Sequence, residues 1–360
     1  MKIGLVRRGY SATGGAEAYL RRFADAATAA GHSCVLFADA EWQEWTGERE
    51  RIASGSPREF ADALADAKPR ERCDFLFSLE RVWKCDAYRA GDGVHAAWLA
   101  RRAEFEPAWR VFLRRLSRKH CELLEVERAL LSPGGAGVVI ANSKWIKGDI
   151  EQHFGFSPER IHVVYNGVPA FNPPPNSRAE MRKELGLAAD DYVLLFAGSG
   201  WDRKGLRFAI DAVNSCASRA TLLAAGRGRP ETMPRSARVR FLGPVSEMSR
   251  VLAASDAFLL PTLYEPFSNA CLEALAAGLP VLTTEHNGFA EIIERGVEGE
   301  VFPDPREIAA LAAGIDRWAD AARRAEVRPR LLEKAARFTI GENVRSTLAI
   351  IGKARESGRA

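Results

Sequence analysis

The sequence predicts an α/β protein with two doubly wound domains, and three observations support this fold class. With 360 residues, the chain is too long for one ordinary domain and long enough for two separate cores. Short apolar segments alternate with helical patterns along the chain, which is typical of parallel sheets covered by helices. The proline run 173–175 begins a stiff linker that ends near Ser177. We therefore place one domain at 1–167 and the other at 168–340.

The first domain opens with an apolar strand at 3–6, followed by a polar loop and an alanine-rich helix at about 16–30. Gly14 and Gly15 end this loop. Without a Cβ atom, they allow backbone amides to approach a phosphate at the positive end of the helix dipole. Such turns are also common in α/β proteins for purely structural reasons. Further elements are predicted as strands at 35–37, 75–77, 138–141 and 161–165 and as helices at 58–67 and 144–154.

Asp92 and His95 follow the segment that begins at Cys85, at the expected carboxyl end of a strand. Ligands of parallel sheets bind at this edge, so both side chains are candidates for contact with a substrate. A single aspartate or histidine in such a loop is also often a turn cap or a satisfied core group. The residues alone are compatible with both interpretations.

Residues 95–120 form a basic segment with seven cationic side chains against two acidic ones. From Pro107 onward, apolar residues recur at helical spacing and the arginines fall on the other face. An arginine-rich amphipathic helix with tryptophan and phenylalanine is typical of proteins that bind an anionic bilayer surface. The alternative is a helix packed on its own domain with a solvated basic face. The residues predicted to meet the membrane are Arg101, Arg102, Trp109, Arg110, Phe112, Arg114, Arg115, Arg118 and Lys119.

The second domain is predicted to open with a strand at 192–197, a glycine-flanked loop at 198–205 and a helix from Leu206. The loop carries Arg203 and Lys204 directly before the helix. An arginine can bind a phosphate with two hydrogen bonds and a lysine adds a mobile charge, so this loop is a candidate anion site. Paired basic residues in loops are otherwise usually solvated. Further elements are expected as strands at 222–225 and 239–242 and a short helix before Ala254.

Residues 256–288 are predicted to form one strand, loop, helix and strand. The apolar run Ala257–Leu260 and a second at 279–283 flank a helical stretch at 269–277, with Gly278 as the helix stop. This order is that of a βαβ unit in a parallel sheet. The loop at its first strand end is therefore expected to line a ligand crevice.

Two glutamates, Glu265 and Glu273, lie in this unit eight positions apart. Glu265 is in the loop after the first strand, and Glu273 is in the helix that follows. The spacing places two carboxylates along one wall of the expected crevice, which suits a ligand with two sets of hydroxyls. Ser268 and Asn269 offer amides at the helix start. Glutamates of helices are also often solvated surface groups.

The stretch Glu265-Pro-Phe-Ser-Asn-Ala-Cys-Leu-Glu273, followed by Asn287-Gly288, resembles the signature of the family 4 retaining glycosyltransferases of the GT-B fold. The resemblance implies two Rossmann-like domains facing a central cleft, with a C-terminal helix at 341–356 that packs back on the first domain. It also implies that Glu265 contacts the donor sugar, that Glu273 holds the nucleotide ribose, and that two cations hold the diphosphate. The donor-binding residues implied are Gly14, Gly15, Arg203, Lys204, Glu265, Phe267, Ser268, Asn269 and Glu273.

The segment around Asp92 and His95, the basic segment and the stretch 125–130 are similar to the lipopolysaccharide-core glucosyltransferase group within that family. The similarity implies transfer of a hexose, expected to be glucose, from a UDP-sugar to a lipopolysaccharide-core or related cell-envelope glycan. The first domain would bind this lipid-linked or core oligosaccharide acceptor, and the second the nucleotide-sugar donor. Asp92 and His95 would lie near the acceptor hydroxyl. The catalytic residues implied are Glu265, Asp92, His95, Lys204 and Arg203.

The composition favours a cytosolic protein. The net charge is only +4, which gives no argument for nucleic acid as a partner. The six cysteines form no C-x-x-C pair, which is typical of a reducing compartment. The amino-terminal apolar run is too short for a signal peptide, and no segment approaches the roughly 20 apolar residues that cross a bilayer. We expect a cytoplasmic protein that is peripheral on the cytoplasmic face of the inner membrane.

The sequence contains no D-x-D triplet, which counts against a metal-dependent glycosyltransferase, so neither a metal nor a cofactor is expected. Three rival functions fit parts of the pattern. Glu265 and Asp92 could be the paired carboxylates of a glycoside hydrolase, although that enzyme needs no diphosphate site. A nucleotide-sugar epimerase of the same fold would change the sugar nucleotide with no acceptor present. A non-catalytic protein that binds sugar nucleotides or a membrane surface would bind donor without turnover.

Overall fold

The computed structural model describes residues 1–9, 15–42, 45 and 47–358. It divides into two units, Met1–Asn166 with Ile340–Ala360, and Gly167–Thr339. The chain passes from the first unit to the second one residue before the predicted boundary. The proline run 173–175 therefore lies within the second unit.

The first unit is built on one sheet in which all the strands are parallel. Its strands are β1 (Lys2–Val6), β2 (Ser33–Ala38), β3 (Glu48–Arg51), β4 (Phe75–Ser78), β5 (Cys85–Ala90), β6 (Ala136–Ala141) and β7 (Ile161–Val163). The strand order is β3-β2-β1-β4-β5-β6-β7. The helices are α1 (Gly15–Ala29), α2 (Pro57–Asp66), α3 (His95–Ala103), α4 (Ala108–Arg115), α5 (Arg118–Leu130), α6 (Lys144–Phe154) and, from the end of the chain, α14 (Ile340–Glu356).

The C-terminal helix completes the core of the first unit. Phe23 of α1 and Phe77 of β4 are fully buried, and Val344 and Ile351 of α14 join the same cluster. The predicted return of the C-terminal helix to the first domain is therefore confirmed.

The second unit contains a second parallel sheet. Its strands are β8 (Val193–Ala197), β9 (Thr221–Ala225), β10 (Val239–Gly243), β11 (Ala257–Leu260), β12 (Val281–Thr284) and β13 (Gly299–Phe302), in the order β10-β9-β8-β11-β12-β13. Its helices are α7 (Ser177–Glu184), α8 (Trp201–Lys204), α9 (Leu206–Ser215), α10 (Met248–Ala254), α11 (Asn269–Ala276), α12 (Ile308–Arg317) and α13 (Ala321–Ala335).

The burial of each strand explains why some strands were predicted and others were missed. Strand β8 has the sequence VLLFA and is buried along its whole length, because a parallel sheet is covered on both faces. Strand β3 has the sequence ERER, forms the edge of its sheet and was not predicted. Charged side chains at an edge oppose pairing with another chain. Strand β13 was also missed.

Two local predictions differ from the structure. The basic segment forms the three short helices α3, α4 and α5, rather than one helix that starts at Pro107. Arg203 and Lys204 lie in the one-turn helix α8 rather than in an open loop. Gly200 and Gly205 flank this turn with φ angles of 73° and 76°, which glycine adopts without strain.

In both sheets the strand order reverses at one point, between β1 and β4 in the first and between β8 and β11 in the second. Ligands of open α/β sheets bind beyond the carboxyl ends of the strands at such reversals. Lys204 follows β8 and Glu265 follows β11. In the first unit, Asp92 follows β5, the neighbour of β4.

Candidate active site

A buried carboxylate and two cations meet at the reversal point of the second sheet. Lys204 Nζ lies 2.8 Å from Glu265 Oε2, and Arg203 Nη2 lies 3.4 Å from the same oxygen. Only 12% of the Lys204 side chain and 11% of the Glu265 side chain are exposed. The fold therefore brings together three of the predicted donor-binding residues, of which Lys204 and Glu265 lie 61 positions apart in the chain.

Hydrogen bonds and a close backbone approach hold these two strand ends together. The carbonyl oxygen of Arg203 accepts a bond of 3.0 Å from Thr262 Oγ1, and Arg203 Nη1 donates to Tyr264 O at 3.0 Å. Gly205 has a φ of +76°, and a Cβ atom at this position would collide with the carbonyl oxygen of Pro261. Glycine is therefore required for the approach that places the cations beside the carboxylate.

Glu265 is ionised at neutral pH despite its burial. Burial raises the pKa of this carboxyl, but the charges of Lys204 and Arg203 and the hydrogen bond from Lys204 together outweigh it and leave the pKa below its ordinary value. Two cations and one carboxylate leave the cluster with a net positive charge. It can therefore attract an anion while it keeps an acceptor for hydroxyl groups.

Asn287 organises the loop that carries Glu265, although the sequence motif gave it no role. It is 1% exposed, and its Oδ1 accepts hydrogen bonds from the amides of Ser268 at 3.3 Å and Phe289 at 3.1 Å. Its Nδ2 donates to Thr283 Oγ1 at 3.0 Å. Asn287 thus ties the end of β12 to the start of α11. The Asn-Gly dipeptide after the last strand of the motif is the signal that could have identified it.

Other residues predicted to bind the donor lie on the loop and helix after this carboxylate: Phe267, Ser268, Asn269 and Glu273. Ser268 caps α11, because its Oγ accepts a bond of 3.2 Å from Cys271 N. Its hydroxyl and amide are therefore both engaged within the protein. Phe267 is buried, with its ring 6.0 Å from that of Phe289, and Glu273 is half-buried on α11.

The two glycines predicted to approach the donor phosphate belong to the first unit. Gly15 begins α1, after β1. Gly14 lies outside the described residues.

In the first unit, Arg7 gathers three carboxylates at the carboxyl edge of the sheet. Its guanidinium lies 3.4 Å from Glu17, 3.6 Å from Glu80 and 3.4 Å from Asp92. Burial lowers the pKa of Arg7, but the three carboxylates raise it by more. Burial raises the pKa of Glu80 above its ordinary value, although Arg7 opposes this. Arg7 and Glu80 were not predicted, and their positions after the neighbouring strands β1 and β4 are the signal that could have found them.

His95 begins α3, and its ring is neutral. The Nε2 atom lies 3.0 Å from Nδ1 of His120. Burial, followed by the nearby charges of Arg81, His120 and Lys119, lowers the pKa of His95 to about 3. In a neutral imidazole one nitrogen donates and the other accepts a hydrogen bond. Because Nε2 of His95 is paired with His120, His95 can orient a hydroxyl group through Nδ1.

Four large apolar side chains on α4 and directly after it are exposed: Trp109 by 59%, Phe112 by 62%, Leu113 by 56% and Leu116 by 67%. The rest of the described chain therefore leaves these side chains uncovered, while Val111 on the same helix is half-buried. Several of the neighbouring cations are paired within the protein: Arg101 with Glu104, Arg102 and Arg114 with Glu106, and Arg118 with Glu122. Arg110, Arg115 and Lys119 form no ion pair with any residue that the structure describes.

No helix in the described part of the chain is long and apolar enough to cross a membrane. Within the same ranges, no three histidine, cysteine, aspartate or glutamate side chains are grouped as a metal ion would require. All six cysteines are free thiols.

Two family models match the chain, one in each unit. The model described as "Glycosyltransferase Family 4" matches residues 13–170, and the model described as "Glycosyl transferases group 1" matches residues 191–320. The second model includes Arg203, Lys204 and Glu265, and the first includes Asp92 and His95.

Two relatives are similar over different shares of the chain. The lipopolysaccharide glucosyltransferase WaaG of Escherichia coli (strain K12) is 25% identical over 323 residues, which cover 82% of this chain and 83% of WaaG. The D-inositol 3-phosphate glycosyltransferase 1 of Catenulispora acidiphila is 29% identical over 246 residues, which cover 61% of this chain and 58% of that protein.

Solved structures share the fold over nearly the whole chain. The crystal structure of WaaG, a glycosyltransferase involved in lipopolysaccharide biosynthesis, has a TM-score of 0.83 at 22% identity and covers 97% of this chain and 99% of its own. The structure of Anabaena Alr3699/HepE in complex with UDP-glucose has a TM-score of 0.74 at 20% identity, with coverage of 97% and 99%. The fold class predicted from the sequence is confirmed.

Proposed function

Because the chain belongs to the family 4 glycosyltransferases and has their GT-B fold, we propose that it transfers glucose from UDP-glucose to a glycan of the lipopolysaccharide core or a related cell-envelope acceptor. The observation that carries this proposal is the cluster of Lys204, Arg203 and Glu265. The cluster combines cations for a diphosphate with a carboxylate for sugar hydroxyls. Support for the donor and acceptor comes from the relatives, because WaaG is a lipopolysaccharide glucosyltransferase and a HepE structure contains UDP-glucose.

The donor binds in the second unit. Its diphosphate takes the place of Glu265 as the partner of Arg203 and Lys204, with Arg203 as a two-pronged donor and Lys204 as a point charge. Glu265 is then free to accept hydrogen bonds from the sugar hydroxyls. Glu273, on the helix that follows, holds the ribose.

Transfer breaks the bond between the anomeric carbon of glucose and the β-phosphate oxygen and forms a bond from that carbon to the acceptor oxygen. UDP leaves with the bonding electron pair, so negative charge grows on its phosphate oxygens. Arg203 and Lys204 stabilise this charge in the transition state, which makes a metal unnecessary. A phosphate oxygen takes the proton of the acceptor hydroxyl on the same face of the sugar, so the anomeric configuration is retained.

The acceptor binds to the first unit beside Asp92 and His95. The ring of His95 is neutral, so it orients the acceptor hydroxyl through a hydrogen bond and does not protonate it. The carboxylate of Asp92, ordered by Arg7, offers a second acceptor for hydroxyl groups.

The protein is proposed to act in the cytoplasm, at the cytoplasmic face of the inner membrane. The exposed apolar side chains of α4 and its unpaired arginines support this location, because a lipid-linked acceptor is anchored at an anionic surface. Contact is peripheral in this proposal and is made by α4 and its flanking residues.

The deciding experiment is a screen of nucleotide sugars with the purified protein, with and without a lipopolysaccharide-core acceptor. We expect glucose transfer from UDP-glucose and slow hydrolysis of the donor when the acceptor is omitted. Inositol 3-phosphate serves as a control acceptor, because a D-inositol 3-phosphate glycosyltransferase is among the proteins similar to this chain. Epimerised donor without acceptor, cleavage of oligosaccharide without any nucleotide sugar, or donor binding without turnover would each replace this proposal by one of its rivals.

A further inference from the structure

Arg81 and Glu127 form a buried ion pair in the first unit that the donor chemistry does not use. Arg81 is 8% exposed and Glu127 is 1% exposed. Arg81 Nε donates a bond of 2.8 Å to Glu127 Oε1, and Arg81 Nη2 donates a bond of 2.8 Å to the carbonyl oxygen of Gly93. A buried ion pair gains little stability over apolar residues of the same size, so its presence points to a role in fixing a conformation.

The carboxylate of Glu127 acts as the cap of α3 from another helix. Its Oε1 accepts a bond of 2.7 Å from the amide of His95, and its Oε2 accepts a bond of 3.1 Å from the amide of Ala96. The residue at the cap position of α3 is Val94, which has no side-chain acceptor. Glu127 therefore satisfies amides that α3 itself cannot, and its charge is favourable at the positive end of the helix dipole.

The ion pair therefore binds the backbone of the loop that carries Asp92 and His95 at two positions. Arg81 holds the carbonyl group of Gly93, directly after Asp92, and Glu127 holds the amide of His95. Gly93 has a φ of 71°, so the backbone turns sharply between these two hydrogen bonds. Any shift of Arg81 or Glu127 would move Asp92 and His95 together.

We propose that Arg81 and Glu127 are positioning residues that set the loop 92–96 against the acceptor hydroxyl. This inference rests on the proposed function, because it assumes that Asp92 and His95 meet the acceptor. It has one chemical consequence. The amides of His95 and Ala96 are already bound to Glu127, so neither is available to an anionic group of the acceptor.

The test compares two buried glutamates of α5. Each accepts hydrogen bonds from backbone amides at the start of another helix, Glu127 from α3 and Glu122 from α2. Glu127→Gln keeps the shape of the side chain but places an amide group against the N–H groups of α3. Glu122→Gln is the matched control, because Glu122 is 7% exposed, accepts a bond of 3.4 Å from Arg58 N at the start of α2 and pairs with Arg118 at 2.6 Å. Glu122 thus supports α2 and not the acceptor loop.

We expect Glu127→Gln to lower kcat for transfer from UDP-glucose by about 10- to 100-fold, the scale of a small misplacement of reacting groups. The KM for UDP-glucose and the rate of donor hydrolysis without acceptor should stay within about twofold of wild type, because both depend on the second unit. Glu122→Gln should leave transfer unchanged. A purely structural role of Glu127 would reduce transfer and donor hydrolysis together.

Glu127→Gln leaves the charge of Arg81 buried and unpaired, so this variant could fail to fold. The double variant Arg81→Met with Glu127→Gln removes both charges and is expected to fold and to show the same selective loss of transfer. Wild-type transfer in a folded double variant would overturn the inference. His95→Ala is measured in parallel: if it loses transfer while the double variant does not, the proposed function stands and the inference fails. If His95→Ala and Asp92→Asn both keep full transfer, the acceptor site is misassigned and the inference fails, although the transfer itself stands. Absence of glucose transfer by the wild-type protein would overturn the proposed function.

Discussion

Lys204 donates a hydrogen bond of 2.8 Å to Glu265, so a residue assigned to the diphosphate and a residue assigned to the sugar are bound to each other. Both charges are nearly buried, and each is the main partner of the other. In the proposed function, donor binding exchanges this ion pair for two separate contacts, one to phosphate and one to hydroxyl groups. In return, the pair keeps both side chains ordered before the donor arrives, which lowers the entropy lost on binding.

Removal of either side chain of this pair should greatly reduce transfer activity. We expect Lys204→Ala to lower kcat/KM for UDP-glucose by at least about 100-fold, because it removes a preorganised charge from the leaving diphosphate. Glu265→Ala should abolish transfer. Lys183→Ala, on the exposed surface of the same unit, is the control and should match wild type. Steady-state kinetics decide the matter, and a near-native rate in either site variant would contradict the assignment.

Acid should destabilise the protein through His95. The pKa of this group falls from 6.5 to about 3 in the folded chain, because of burial and the charges of Arg81, His120 and Lys119. Between these two pH values the unfolded chain binds a proton that the folded chain does not, so this contribution to stability is lost as the pH falls from about 6.5 towards 3.

His95→Gln removes that contribution. The free energy of unfolding of this variant, measured with urea between about pH 7 and pH 4.5, should therefore fall less steeply with acid than that of wild type. His153→Gln, on the exposed surface of α6, is the matched control and should keep the wild-type slope. Equal slopes for wild type and His95→Gln would show that His95 titrates normally.

The sequence predicts the central strands well because parallel strands are apolar on both faces, as β8 shows. It fails at β3, where the pattern ERER carries no apolar signal and the strand exists only because it pairs with β2. Secondary structure of an edge strand is decided by its neighbour and not by its own residues.

The candidate site, too, was predicted only in part. Arg203, Lys204 and Glu265 could be singled out because charged residues after apolar strands are conspicuous in a sequence. The grip of Asn287 on the loop, and the gathering of Glu80 and Asp92 around Arg7, arise from strand order, which one sequence does not reveal. These contacts join residues that are distant along the chain and were therefore missed.

Asn287→Ala should loosen the loop that carries Glu265. The change leaves the buried amides of Ser268 and Phe289 without an acceptor, which costs about 1–3 kcal/mol in the free energy of unfolding. We also expect a higher KM for UDP-glucose, because the loop loses its tie to β12. Urea unfolding and donor kinetics measure the two effects. Asn214→Ala, at an exposed asparagine, should change neither, and a stable Asn287→Ala protein with normal donor KM would refute the role.

Gly205→Ala should be far more damaging than alanine at another glycine of the same backbone class. Gly205 and Gly243 have φ angles of +76° and +66°, so alanine is strained by a similar 1–2 kcal/mol or so at both. Only at Gly205 does the new methyl group also strike the carbonyl oxygen of Pro261. Gly205→Ala should therefore separate the two loops and reduce donor binding, whereas Gly243→Ala should lower stability alone. Equal effects on donor binding, measured by calorimetry with UDP, would contradict the close-approach argument.

The exposed face of α4 should bind anionic bilayers through two separable contributions. Arg110, Arg115 and Lys119 have no acidic partner among the described residues, and each basic group near an anionic surface contributes about 1 kcal/mol. Replacing all three by glutamine should therefore weaken binding to phosphatidylglycerol vesicles by about 100-fold at low salt. High salt should reduce the difference, because it screens surface charges.

The apolar contribution is tested by Trp109→Ala with Phe112→Ala, two side chains that are more than half exposed. This variant should bind the same vesicles more weakly at every salt concentration, because burial of apolar area does not depend on screening. Leu332→Ala removes an apolar side chain that is 38% exposed on α13 and serves as the control. Vesicle co-sedimentation compares the wild-type protein with the charge variant, the aromatic variant and the Leu332→Ala control. If the aromatic and control variants bind alike, α4 does not enter the bilayer and its apolar face serves another contact.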